Sequence, residues 1–165
     1  MSRYIRPQVP GATIHFTVRL ERRGSSTLTD HIEDLRVAMR RTRTERPFRI
    51  DAIVVLPDHL HTIWTLPSGD ADYATRWHLI KARFSLSVPG GAPRHSHLRR
   101  RERGLWQRRY WEHHVRSPSD HAALVRRCWH DPVRHGLVCD PRAWPFSSIH
   151  RDTCHTQGRH PAPAS

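Results

Sequence analysis

His59 and His61 stand two residues apart, directly after the apolar run of residues 52–56 and the turn dipeptide Pro57-Asp58. In an extended segment alternate side chains point to one face, so both rings project together with about 7 Å between their Cα atoms. Two imidazoles so placed can share a divalent cation. The same spacing also suits packed or solvent-facing histidines, because ligation needs a third partner that spacing does not reveal. His95 and His97 repeat the spacing within a Gly- and Arg-rich stretch that nothing holds in one direction. Thiol chemistry has less support: Cys128, Cys139 and Cys154 are odd in number and form no CxxC pair, which points to reduced, ordinary thiols rather than a disulfide framework or thiolate zinc site.

The elements that must carry the pair follow from pattern. Residues 12–20 alternate, with Ile14, Phe16, Val18 and Leu20 against His15, Thr17 and Arg19, the period-two signature of a half-buried strand. Asp30 followed by Glu33 predicts a capping box for a helix that runs through Ile32, Leu35 and Met39 to about Arg46. Residues 48–56 and 59–66 read as two arms of a hairpin about Pro57-Asp58, the first nearly all apolar and therefore central. Tyr73, Trp77, Ile80 and Phe84 then form one stripe of a second helix that ends before Pro89.

Residues 89–104 hold three Gly, two Pro and five Arg and read as a mobile basic loop. Residues 105–116, aromatic and β-prone, predict a fourth strand or an extended edge segment. Ser117-Pro118-Ser119-Asp120 supplies an N-cap, a proline at N1 and an acid at N3, so a last helix starts at Pro118; it should reach about His130, where Asp131-Pro132 disturbs it, with Gly136 as terminator. The order β, α, β, β, α, β, α is that of an α+β, ferredoxin-like or RRM-like sandwich: an antiparallel sheet with helices on one face and an open face fit for a single strand. The domain spans residues 1–136. A tail, 137–165, docks in part through residues 144–152 and is expected to be disordered at its end.

Charge names the class of partner. The 165 residues carry 28 Lys plus Arg against 15 Asp plus Glu, a net charge of +13, and every basic residue but Lys81 is arginine, whose planar fork grips phosphate oxygens. A GC-rich genome accounts equally well for arginine over lysine, but not for the net charge. No apolar run approaches membrane-spanning length, and no secretory leader is visible, so a cytoplasmic, nucleoid-associated protein is expected, as monomer or homodimer.

The stretch 48–66, with its VVLPDHLHTIWTLP (54–67), resembles the HUH segment of the REP-associated tyrosine transposases, relatives of the single-strand transposases of bacterial insertion sequences. RWHLIKARF (76–84), LWQRRYWEHHVR (105–116), DPVRHGLV (131–138) and WPFSSIHRD (144–152) match in the same order, together covering roughly residues 4–152. The resemblance implies a ferredoxin-like domain that binds the single-stranded foot of a REP hairpin and nicks it through a tyrosine on the last helix, leaving a 5′-phosphotyrosine. It also implies a divalent cation, Mg²⁺ or Mn²⁺, on His59 and His61, with Asp131 at the third ligand position.

One position departs from that pattern. Four residues before Asp131, where the family has its nucleophile, stands Arg127, which stays protonated and cannot attack phosphorus. No tyrosine follows Tyr110, so Tyr4, Tyr73 and Tyr110 remain; Tyr73 lies on the packing stripe and Tyr110 in an aromatic segment. Arg127 can instead clamp a phosphate, or be one more solvated helix charge. The remaining candidates for contact with DNA are Arg99, Arg100, Arg101, Arg103, Arg108 and Arg109 for the backbone, and Trp106 and Trp111 for base stacking, a role that competes with core packing. Two functions stand: a strand-cleaving transposase whose nucleophile is lost or relocated, and a hairpin-DNA-binding protein without catalysis. An RNA-binding module is disfavoured by the absence of an RNP-type aromatic run.

Overall fold

The computed structural model describes residues 8–88 and 104–151. Four strands, β1 (Thr13–Arg19), β2 (Arg49–Val55), β3 (His59–Thr65) and β4 (Trp111–His114), form one sheet in the order β2-β3-β1-β4, every pair antiparallel. The expected α+β antiparallel sandwich is the observed one. The helices are a single turn α1 (Thr27–Asp30), then α2 (Ile32–Glu45), α3 (Tyr73–Ser87) and α4 (Pro118–Arg134), with a short 3₁₀ turn at Pro141–Ala143.

Strand alternation decides which layer each residue joins. Ile14, Phe16 and Val18 of β1 and Leu60 and Trp64 of β3 face α2 and α3, where they meet Leu35, Met39, Tyr73, Trp77, Ile80 and Phe84 in the main core. Trp64 and Trp77 stack with centroids 4.3 Å apart, and Phe16 packs edge-on against Trp77. Buried Arg76 clamps this layer, spending its guanidinium on Asp70 and on the carbonyls of Arg46, Pro47 and Asp72, so all five N–H donors are satisfied. The opposite face is covered only in part. There α4 lays Leu124, Val125 and Cys128 on Ala52, Val54, Leu56 and Ile63, over β2 and β3. The helices on one face are thus α2 and α3, while the last helix adds a second, smaller layer behind the sheet and leaves β1 and β4 open there.

Four local expectations need correction. β2, expected to be central, lies at an edge of the sheet; its apolar residues are covered by α4 and by residues 144–148 rather than by a second neighbouring strand. Asp30 does not cap α2; its carboxylate accepts from Ser26 Oγ at 2.5 Å within α1, and α2 starts after His31 with no side-chain cap. The stretch 105–116 is not one strand: Leu105 and Trp106 turn into the core, Trp106 meeting Leu20 in an isolated bridge, and only Trp111–His114 pairs with β1. Pro132 does not disturb the last helix at His130, because proline forfeits one N–H bond but already holds a helical φ. The helix continues to Arg134 and closes on Gly136 at φ 69°, where Gly136 N–H donates to the Val133 carbonyl and Leu137 N–H to that of Pro132. That bond pair is a Schellman motif, which needs the left-handed residue glycine supplies.

Ser117 caps α4 by accepting from Asp120 N–H, as the sequence predicts. Beyond α4, residues 144–148 run along the outer edge of β2: Val55 N–H donates to the Phe146 carbonyl, Ser148 N–H to that of Ile53, and Trp144 Nε1 to that of Val55. The expected mobile loop, except Gly104, and the expected disordered end lie outside the described residues.

Candidate metal centre and nucleic-acid face

Central strand β3 aims His59 and His61 at the face beneath α4, and the helix brings Asp131 to meet them. Asp131 Oδ2 lies 3.1 Å from His61 Nε2 and 3.5 Å from His59 Nε2. Each ring is fixed from behind. Asp58 Oδ1 accepts from His59 Nδ1 at 2.6 Å, and Asp58 is itself held by the Gly24 N–H at 2.8 Å; Thr17 Oγ1 lies 2.9 Å from His61 Nδ1. Such partners set the tautomer that presents a bare Nε2 to a metal.

The site is built for a positive charge. His59 is 3% exposed and Asp131 5%, and neither His59 Nε2 nor Asp131 Oδ2 has a hydrogen-bond partner. Two lone-pair-bearing atoms face one another across such a gap only with a proton or a metal ion between them. Burial alone would push the Asp131 carboxyl up, but the close approach of the His59 and His61 rings, with the charges of His61 and His135, outweighs it and holds the group far below the usual range. Burial lowers His61, against the opposing pull of Asp131. The donor set therefore fits a divalent cation.

Around this centre β1 adds a second row. His15 stacks on His61 with centroids 5.6 Å apart, and its pKa is lowered to about 4 by burial and then by the charges of His61, Arg127 and His113. Trp111 on β4 is 55% exposed, lies edge-on to His15 and stacks on His113. Thr17, Arg19, Arg109, Tyr110 and Trp111 border a cleft of about 420 Å³.

Of the remaining sequence candidates, Arg108 and Arg109 are exposed before β4, and Arg127 is exposed on α4, one turn before Asp131. Trp106 departs from its assignment to DNA contact. It is 8% exposed and packs against Phe84, so it offers no free ring face. Arg99, Arg100, Arg101 and Arg103 lie outside the described residues. Neither described tyrosine faces the centre: Tyr73 is buried on the α2/α3 side, and the Tyr110 ring packs toward Phe16 and Trp77. Cys128, adjacent to Arg127, is fully buried with its thiol pushed up, and its Sγ donates to the His61 carbonyl at 3.6 Å, so it is a packing residue.

Sequence reasoning missed His135. Its Nε2 lies 3.4 Å from Asp131 Oδ2, and its ring meets His59 at 4.9 Å. The signal was there as a His four residues after Asp131, masked by reading Pro132 as a helix breaker.

A protein of Escherichia coli (strain K12) named REP-associated tyrosine transposase is 41% identical over 152 residues, which cover 92% of this chain and 85% of that one. The chain belongs to the REP-associated tyrosine transposases. A Haemophilus influenzae protein named for the same family is 40% identical over 154 residues, 88% of its length. The solved structure of a REP-associated tyrosine transposase bound to a REP hairpin superposes with a TM-score of 0.84 at 38% identity, covering 100% of this chain and 93% of that one. A Deinococcus radiodurans chain, 16% identical with a TM-score of 0.50 over 76% of this chain, shares the fold alone. No protein-family model matches. No described helix is long and apolar enough to cross a membrane.

Proposed function

We propose that this transposase-family chain binds the single-stranded foot of a REP-type hairpin across the open part of its sheet, next to the His59–His61–Asp131 centre, without forming a phosphotyrosine. The observation that carries the reading is Arg127: a fixed cation stands on α4 where a nucleophilic hydroxyl would have to be, and both described tyrosines pack on the other side of the sheet. The net charge of +13 supports a polyanionic partner, and the hairpin-bound relative supports a hairpin. Trp111 offers an exposed ring on which a base can stack, with Arg19 and Arg109 beside it for the backbone. Arg127, on the helix above, neutralises a phosphate rather than attacking one.

Bound Mg²⁺ or Mn²⁺ would act as a Lewis acid toward a phosphate oxygen. The chain's own part is to orient the two imidazoles through Asp58 and Thr17 and to keep Asp131 ionised beneath α4. The test is a labelled REP-like hairpin incubated with the full chain and Mg²⁺ or Mn²⁺, resolved on native and denaturing gels. A retained complex that weakens steeply with salt, with no covalent adduct, is expected. Any covalent adduct would overturn the non-catalytic reading, one that survives Tyr73→Phe and Tyr110→Phe would put the nucleophile at another residue, and equal affinity for plain duplex would overturn the hairpin. If the rest of the pocket is intact, Arg127→Tyr gains metal-dependent nicking that His59→Ala abolishes.

A further inference from the structure

We propose that His135 is a ligand of the same cation, so that the centre offers three imidazoles and one carboxylate and selects a first-row transition ion such as Zn²⁺ over Mg²⁺. The inference rests on the metal reading of His59, His61 and Asp131, but not on the binding of DNA.

Three observations carry it. First, ligand atoms of His59, Asp131 and His135 all lie within 4.8 Å of one another. Second, the three imidazole nitrogens stand 3.1, 3.4 and 3.5 Å from a single oxygen, Asp131 Oδ2. Ligands about 2.0–2.1 Å from a tetrahedral ion sit about 3.3 Å apart, whereas adjacent ligands at the same distance in an octahedron sit about 2.9 Å apart. The three spacings to Asp131 Oδ2 fall on either side of the tetrahedral value. Third, the backbone holds His135 in place: its N–H donates to the Asp131 carbonyl at 3.0 Å, and the Gly136 turn follows at once. The two residues sit one helical turn apart on a common face.

His61 reaches the shared oxygen as well. Asp58 and Thr17 hold the β3 rings, and His135 has a side chain 47% exposed, so it is His135 that has room to close the set. Imidazole suits Zn²⁺, Cu²⁺, Fe²⁺ and Ni²⁺, while Mg²⁺ prefers oxygen ligands and keeps several waters. Such a centre ties the end of α4 to β3.

Titration of the dialysed full chain with Zn²⁺ and, separately, Mg²⁺ by calorimetry tests this, with Co²⁺ as a visible-spectrum probe, since four-coordinate Co²⁺ absorbs far more strongly than six-coordinate Co²⁺. Wild type is expected to bind Zn²⁺ more tightly than Mg²⁺ and to give the intense Co²⁺ spectrum. His135→Ala, at an exposed helix end and checked for folding by circular dichroism, should weaken Zn²⁺ by more than the roughly 10–100-fold that loss of an outer partner costs and should dim the spectrum. His130→Ala, on the same helix, should change neither. If His135→Ala leaves both unchanged while His59→Ala removes both, the proposal is overturned and the three-ligand reading stands. Equal losses in His130→Ala and His135→Ala would mean diffuse surface binding and would overturn it too. A wild-type chain that binds no divalent ion overturns both readings.

Discussion

The two faces of one sheet are built to opposite rules. Toward α2 and α3, β1 and β3 present Phe16, Val18, Leu60 and Trp64, buried among aromatic rings. Toward α4 the same two strands present His15, Thr17, His59 and His61, of which Thr17 bonds His61 while His15 Nδ1 and His59 Nε2 have no partner. One face maximises apolar burial; the other accepts buried polar groups at a cost in stability that only a bound charge offsets. Because successive residues of a strand point to opposite sides, packing on the first face fixes the aim of the second.

The contrast predicts graded effects on stability. Trp64→Ala, which removes a fully buried indole stacked on Trp77, should cost about 3–5 kcal/mol in urea unfolding, and a loss below 1 kcal/mol would break the distinction between the faces. Acid should act next. The unfolded chain protonates His15 near its ordinary value of 6.5, whereas the folded chain resists until about 4. Stability is therefore full above pH 6.5 and falls as pH drops toward 4, by at most about 3 kcal/mol from this group. His15→Phe should flatten that part of the curve when unfolding is compared at pH 7.5 and 4.5 in chelator, and unchanged pH dependence would contradict it. Thr17→Val removes the bond to His61 Nδ1 and should cost about 1 kcal/mol, with weakened metal binding read by calorimetry. Trp111→Ala should change stability by no more than about 0.5 kcal/mol, yet weaken hairpin binding by about 1–3 kcal/mol in a gel-shift titration.

How much the sequence disclosed depended on whether an element's fate was local. Alternation in β1 and the Tyr73-Trp77-Ile80-Phe84 stripe are enforced by burial along the element itself, and they predict the sheet and α3 correctly. Ser117 likewise announces α4, because its capping bond spans only three residues. Asp30 failed as a cap because a competing local acceptor role, toward Ser26, was equally available. Residues 105–116 misled because aromatic residues suit a strand and a core equally, and only the tertiary position of Leu20 draws Trp106 inward. The same holds at the centre. His59, His61 and Asp131 were legible from spacing and resemblance, while His135 and His15 became visible only when α4 was seen to pass through Pro132 and β1 to lie beside β3.

The segment 144–148 that hydrogen-bonds along β2 has a consequence for assembly. An unpaired edge strand is a template on which another chain can extend a sheet, and here one of the two edges is occupied by the chain itself. Among the described residues, β4, four residues long, is the remaining edge. Two copies joined there about a two-fold axis would leave no free rim for a third, so strand addition ends in a closed pair rather than an open fibre.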